Sequence, residues 1–333
     1  MSTPRDFQRL VIAGASSLLG AELKSLLEES RFAGWDFSLL DEEIAAGTLT
    51  EAAGEPAVIQ PVEEGSFARA KLVFFTGSEA FAQRNLPAAR ESGATVIDLS
   101  GAALNLPGAQ AWFAIDGSGH RADKNKTFFA VPSAPGLATA KLLDALGRAG
   151  LSRMALIFFR PVSEAGRPGI EELEAQTTQL LSFQSTGQPV FEAQVAFNLL
   201  DRYGPASRQN LQSVRTRIHR EAAIAAGNSP VRPSIQVLHA PVFYGYTFVA
   251  TAELNSQPSQ DAIAEICRKS GFTIDSDASS PLGNLNASGD SAIRLAPPES
   301  DPAQPGTWWF WGAADNIRLP AATAIKLAEK LVE

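Results

Sequence analysis

The sequence predicts an α/β protein of two domains: a mostly parallel sheet wound with helices, then an α+β domain carrying an open sheet. Three observations carry that expectation. Short apolar runs alternate with helical periodicity from residue 9 to about residue 152. A glycine-bearing turn joins the first run to the first helix. Beyond residue 152 the apolar runs lie closer together, which suits an antiparallel sheet.

Taken in order, Arg9-Leu-Val-Ile-Ala13 reads as a strand, and Leu19, Leu23, Leu26 and Leu27 recur at the spacing of one helix face. Strands follow over 35–40, 72–76, 95–99 and 127–131, with a helix over 79–92. The second domain opens on a strand over 153–159, then helices over 170–184 and 214–226. Segments 234–240 and 245–254 read as strands close in sequence, suiting an antiparallel sheet, and 308–312 as an aromatic strand. Segment 275–306, rich in Ser, Gly, Asp and Pro, reads as a surface excursion. A closing helix over 321–331 is expected to pack back on the first domain. The expected boundaries are 1–133, completed by 313–333, and 134–312.

A chain of 333 residues, 45% hydrophobic and 19% charged, is long enough for two cores and has the composition of a soluble globular protein. No apolar run reaches the roughly 18 residues of a membrane span. No signal-peptide core precedes the first strand, so cytoplasmic residence is expected. A net charge of −8 without a basic stripe argues against nucleic acid. The single cysteine, Cys267, excludes an intrachain disulfide and a cysteine-cluster metal site. His120, His219 and His239 have no metal-ligand spacing, and no metal is expected.

Gly14 and Gly20 frame a strand–turn–helix unit of dinucleotide-binding, Rossmann type. Glycine lets backbone N–H groups approach a pyrophosphate, and the helix N-terminus adds positive potential. Ser17 stands where the usual pattern has its middle glycine; its side chain either obstructs that approach or replaces one contact. Gly14, Ser16, Ser17, Leu18 and Gly20 are the candidate cofactor contacts of the turn. The loop after the second strand reads Asp41-Glu42-Glu43. Acid there suits ribose hydroxyls and repels a 2′-phosphate, so NAD is favoured over NADP if either binds. A solvated acidic turn and an empty pocket are the plain alternatives.

Several segments in order resemble the aspartate-semialdehyde dehydrogenase family. They are the glycine turn, Phe74-Phe-Thr-Gly-Ser78, Val96-Ile-Asp-Leu-Ser-Gly-Ala102, Pro161-Val-Ser-Glu-Ala-Gly166, Ala196-Phe-Asn-Leu-Leu200 and Ala313-Ala-Asp-Asn-Ile-Arg318. The resemblance implies a Rossmann domain followed by a dimerisation and substrate domain, a homodimer, and further cofactor contacts at Thr76, Gly77 and Asn316. It also implies a mechanism in which a thiolate attacks the aldehyde, hydride passes to the nicotinamide and phosphate cleaves the thioester. The family's cysteine falls on Ala134 and its glutamine on Arg160. Its substrate-binding arginine falls on His239, its base histidine on Tyr246, and its phosphate-side arginine on Leu104.

No catalytic position is therefore intact. Ser133 is a weak substitute nucleophile, with His239 as the one neighbouring base. Arg215, Arg217 and Arg220 read as a solvated helix face, Glu171, Glu172 and Glu174 as dipole-matching acids of a helix first turn, and Trp308, Trp309 and Trp311 as core and interface. Three functions follow. The first is an inactive paralogue with a binding or regulatory role towards a small molecule or nucleotide. The second is a non-covalent NAD-dependent semialdehyde oxidoreductase of amino-acid biosynthesis using Tyr246 or His239 as acid. The third is residual aspartate-semialdehyde dehydrogenase activity.

Overall fold

The computed structural model describes residues 8–52, 55–113, 122–275 and 280–333; His120 lies outside them. The chain forms two compact units. Among the described residues, unit 1 comprises 8–52, 55–113, 122–132 and 320–333, and unit 2 comprises 133–275 and 280–319.

Unit 1 holds β1 (Arg9–Ala13), α1 (Leu18–Glu28), β2 (Asp36–Asp41), β3 (Leu49–Ala52), β4 (Glu55–Val58), β5 (Gln60–Pro61), β6 (Ala70–Phe75), α2 (Glu79–Glu91), β7 (Thr95–Asp98), β8 (Gln110–Ala111) and β9 (Phe128–Ala130). Its main sheet runs β5-β2-β1-β6-β7-β9-β8, with every pairing parallel. The strand order reverses between β1 and β6, so their C-terminal ends open the crevice where such folds take ligands. The central strands are apolar on both faces, as parallel strands covered by helices must be: Leu10–Ala13 and Leu72–Phe75 are buried. The segment 320–332 closes this core, with Ala321, Ala324, Ile325, Leu327 and Ala328 packed among Leu10, Ile12 and Leu23. The expected α/β, Rossmann-type first domain is what forms.

Unit 2 is built on α3 (Ala134–Gly147), β10 (Leu151–Arg160), α4 (Gly166–Leu181), α5 (Leu211–Ala226), β11 (Ser234–His239), β12 (Tyr246–Leu254), α6 (Gln260–Lys269), β13 (Phe272–Ile274), α7 (Asn284–Ala287), β14 (Ile293–Leu295), β15 (Glu299–Ser300) and β16 (Thr307–Ala314); α8 (Arg318–Val332) starts at its end and continues into unit 1. The sheet order is β11-β10-β12-β16-β14-β13, with β15 against β16. One face carries Met154, Leu156, Phe158, Phe248, Trp308 and Phe310, all buried, and α3 packs over β10, β12 and β16. The other face leaves Ile157, Trp309 and Trp311 at 40%, 41% and 36% exposure.

Three sequence expectations need correction. The sheet that takes segments 234–240 and 245–254 is mixed, not antiparallel throughout: β10 lies between them, parallel to β11 and antiparallel to β12. Segment 275–306 is not merely a surface excursion. It supplies β14, whose Ile293 and Leu295 are fully buried against β16. Glu171, Glu172 and Glu174 are not in a helix first turn, because α4 begins at Gly166 and tolerates Pro168 where the missing N–H is not needed. Glu172 is buried and accepts hydrogen bonds from Gln176 and the N–H groups of Val190 and Phe191, tying down the following loop.

Candidate functional site

In unit 1 the glycine turn is a backbone device. Gly14 has φ +96, and a Cβ there would lie 2.1 Å from the Gly77 nitrogen, so the turns after β1 and β6 meet backbone to backbone. The Thr76 hydroxyl donates to Gly14 O at 3.0 Å, and the Ser17 hydroxyl donates to Gly14 O and Thr76 O at 2.8 and 2.9 Å. Ser17 also caps α1: its Oγ accepts the Gly20 N–H at 2.9 Å. The Gly14 and Ala15 N–H groups go to Leu40 O, and that of Ser17 to Gly14 O. The Asp41 carboxylate, nearly buried, accepts from Ser16 N at 2.7 Å and Glu42 N at 2.8 Å. Among the described residues the first-turn N–H groups of Leu18 and Leu19, at the positive end of α1, have no hydrogen-bond partner. Leu104 is buried and apolar, so its side chain offers no charge to a phosphate.

In unit 2, Ala134 opens α3 and is 2% exposed. Its neighbour Ser133 caps the helix and donates its hydroxyl to Glu221 Oε2 at 2.6 Å, while Ser133 N donates to Glu221 Oε1 at 2.9 Å. Glu221 is fully buried and paired with Arg217 at 2.9 Å. A Cβ at Gly136 would collide with this carboxylate at 2.0 Å, so glycine makes the approach possible. Glu221 was not singled out from the sequence; its i,i+4 spacing from Arg217 on a predicted helix was the available signal.

Arg160 and His239 are register partners at the ends of β10 and β11. Arg160 donates from Nη1 to the Tyr203 hydroxyl at 3.1 Å and from Nη2 to Gln209 Oε1 at 2.9 Å. Tyr203 in turn lies 3.3 Å from His239 Nδ1, and His239 Nε2 lies 3.2 Å from Val195 O. A carbonyl only accepts, so Nε2 carries the proton and Nδ1 accepts from Tyr203. Burial holds the His239 imidazole neutral, with its pKa lowered to about 4. His239 is therefore a committed structural link, and Tyr203 and Gln209 are partners that the sequence alone did not reveal.

Tyr246, in β12, is 1% exposed, and its hydroxyl has no hydrogen-bond partner among the described residues. Burial pushes this phenol well above its ordinary range, and the Glu164 carboxylate adds to the effect. Asn316 ties three strand ends together. Its Oδ1 accepts from Gly245 N at 2.9 Å, and its Nδ2 donates to Ser163 Oγ and Glu164 Oε1, both at 3.1 Å. Unit 2 thus gathers Arg160, His239, Tyr246 and Asn316 at one end of its sheet, while Gly14, Ser16, Ser17, Leu18, Gly20, Asp41, Thr76 and Gly77 gather at the switch point of unit 1. Of the three arginines of α5, Arg217 pairs with Glu221, Arg215 bonds Gln212 and Gln236, and Arg220 Nε is buried, so this is not simply a solvated face.

Comparison with known proteins agrees with this architecture. Residues 9–106 match the semialdehyde dehydrogenase NAD binding domain, and residues 142–319 match the semialdehyde dehydrogenase dimerisation domain. The chain is 28% identical to a USG-1 protein homolog of Azotobacter vinelandii, over 97% of each chain. It is 26% identical to aspartate-semialdehyde dehydrogenase 2 of Vibrio cholerae, again over 97% of each. Among solved structures, a probable aspartate-semialdehyde dehydrogenase from Pseudomonas aeruginosa shares the fold at TM-score 0.88 and 24% identity, covering 98% of this chain and 99% of the other. Matches to both domains, in order and across the sheet ends just described, mean that the chain belongs to the semialdehyde dehydrogenase family and is aspartate-semialdehyde dehydrogenase-like.

Proposed function

We propose that this chain is a ligand-binding member of its family that does not run the covalent, phosphorylating dehydrogenase reaction. Ala134 carries the reading. A methyl group has no lone pair to attack an aldehyde, and Cys267 is a fully buried helix residue with its thiol pushed up to about 12. Ser133 does not replace the thiol, because its hydroxyl is bound to a carboxylate that is itself held by Arg217. His239 does not serve as base, because both ring nitrogens are engaged.

In this reading unit 1 takes NAD in preference to NADP. The turn fits a dinucleotide, with Leu18 and Leu19 N–H groups towards the pyrophosphate and Gly14 clearing the backbone approach. Asp41 sits on the turn as a carboxylate, which accepts ribose hydroxyls and repels a 2′-phosphate. When bound, NAD supplies a hydride acceptor. Asn316, the remaining cofactor position that the resemblance implies, also holds the loop of Glu164 and the strand end at Gly245. The protein forms a cytoplasmic homodimer through the open face of the unit 2 sheet, where Ile157, Val249, Trp309 and Trp311 present apolar surface.

The test is calorimetric titration with NAD and NADP, beside an assay with aspartate semialdehyde and phosphate. Saturable NAD binding, about tenfold tighter than NADP, with no phosphate-dependent nicotinamide reduction is expected. Reduction above a heat-killed control overturns the reading. A second reading, non-covalent reduction with Tyr246 as acid, is favoured by its unpartnered hydroxyl. It requires aldehyde-dependent NADH oxidation that Tyr246→Phe abolishes.

A further inference from the structure

The Arg160 network has a second side. Between β11 and the N-terminal end of α5 lies a pocket of about 430 Å³, within the size range of small-metabolite sites. Its wall includes Arg202, Tyr203, Gln209, Gln212, Arg215 and Gln236. The sequence treated α5 as a solvated basic helix, and the dehydrogenase positions do not draw on this pocket.

Its chemistry is one-sided. Arg215 donates to Gln236 Oε1 at 3.0 Å and to Gln212 Oε1 at 2.6 Å. Behind the wall, Arg160 is 3% exposed and donates to Tyr203 and Gln209. Among the described residues neither guanidinium has a carboxylate within ion-pair distance, and a nearly buried cation with only neutral partners is unusual. Each of the three glutamines gives its acceptor oxygen to an arginine and keeps its N–H₂ donors. The 16-residue α5 starts here with Asn210 as cap and adds the positive end of its dipole. The one acid of the lining, Asp201, sits at the exposed rim, 3.9 Å from Arg202. Donors and positive charge converge on a cavity with few acceptors of its own.

We propose that this pocket binds a small multiply charged anion, a phosphorylated or polycarboxylate metabolite, at a site separate from the nicotinamide and aldehyde positions. Arg215 and the glutamine N–H₂ groups contact the anion, and Arg160 supplies field from behind Tyr203 and Gln209. The same two residues hold Arg160 at the end of β10, so occupancy of the pocket bears on the sheet end where the family keeps its substrate groups.

Calorimetric titration of the full chain with inorganic phosphate and, separately, with citrate tests this, at ionic strength balanced by potassium chloride and with saturating NAD present. Loss of the signal in Arg215→Gln assigns it to the pocket whether or not NAD occupies the dinucleotide turn, so a failed NAD-binding reading and a failed pocket read out separately. Saturable binding of at least one probe is expected. Arg215→Gln should weaken it about tenfold or more, and Arg202→Gln, at the exposed rim, by a smaller factor. Arg153→Gln, on an exposed strand position of β10, should leave it unchanged. Tighter phosphate binding assigns a phosphoryl ligand, and tighter citrate binding a polycarboxylate. No saturable heat with either probe, or equal affinity in wild type and both pocket variants with their circular dichroism intact, overturns the proposal.

Discussion

The glycine turn of unit 1 and the strand ends of β10, β11 and β12 in unit 2 have diverged in different ways. The turn is made of backbone: Gly14 against Gly77, with the half-buried N-terminus of α1 beside them. The strand ends position side chains, and there every group that would carry the chemistry differs. Ala134, Arg160, His239 and Tyr246 stand where the resemblance places a thiol, an amide, a guanidinium and an imidazole. A backbone site survives side-chain change as long as its glycines remain, whereas a side-chain site is lost one substitution at a time. The replacements are not random filler. Arg160, Tyr203 and His239 form a closed chain of hydrogen bonds ending on Val195 O, so the former reactive end has become an internal strut.

The comparison breaks most visibly at Gly14. Gly14→Ala places a methyl against the Gly77 backbone at positive φ, and a cost of about 3 kcal/mol or more is expected, with loss of NAD binding. Denaturant unfolding reads the first and calorimetry the second. A variant as stable as wild type means that the two turns separate freely.

Acid should act next, on the strut. His239 is neutral when folded down to about pH 4, whereas an unfolded histidine protonates near 6.5. Between those values the unfolded state binds more protons, so stability falls as pH is lowered from about 6.5 to about 4. The contribution is about 3 kcal/mol. His239→Gln should flatten that part of the stability–pH curve, and a curve of unchanged slope shows that another group is responsible.

The two tyrosines should respond in opposite senses. Tyr203→Phe removes the acceptor of Arg160 and the donor to His239, at a cost of about 1–3 kcal/mol. Tyr246→Phe deletes a buried hydroxyl without a partner among the described residues and should be neutral or stabilising by up to about 1 kcal/mol. Paired denaturation curves check the sign. A large loss at Tyr246 would place it in the strut as well.

The smallest effect concerns Ser17. Ser17→Gly removes the α1 cap and the hydroxyl bonds to Gly14 O and Thr76 O and frees the N–H of Gly20, so stability should drop by about 1 kcal/mol. NAD affinity should rise several-fold, because charge-assisted contacts to a pyrophosphate gain a donor. Unchanged affinity means that the cap does not compete with the ligand.

Much of this was readable from residue order. Alternation of apolar runs and helical periodicity is a local property, and it located β1, β2, β6, β7, β9, α1 and α2 and the α/β class, but not the short strands β3, β4, β5 and β8. Its limits are specific. The pairing of β10 with both β11 and β12 is a choice among strands far apart in sequence, decided by which faces α3 and α5 cover. The strand Ile293–Leu295 hides in a Ser- and Gly-rich stretch, because three buried residues are too few to show a period. The departures from the family at Ala134 and Tyr246 were visible in the sequence, since they are matters of identity. What replaced the lost chemistry was not visible: Glu221 beneath Ser133, and Tyr203 between Arg160 and His239. Those partners lie 88, 43 and 36 positions apart in the chain. Residue identity alone states which reactive groups are present. Only the folded chain decides which of them are desolvated, which are bonded to one another, and which remain free to meet a ligand, because burial and hydrogen bonding are properties of neighbours in space.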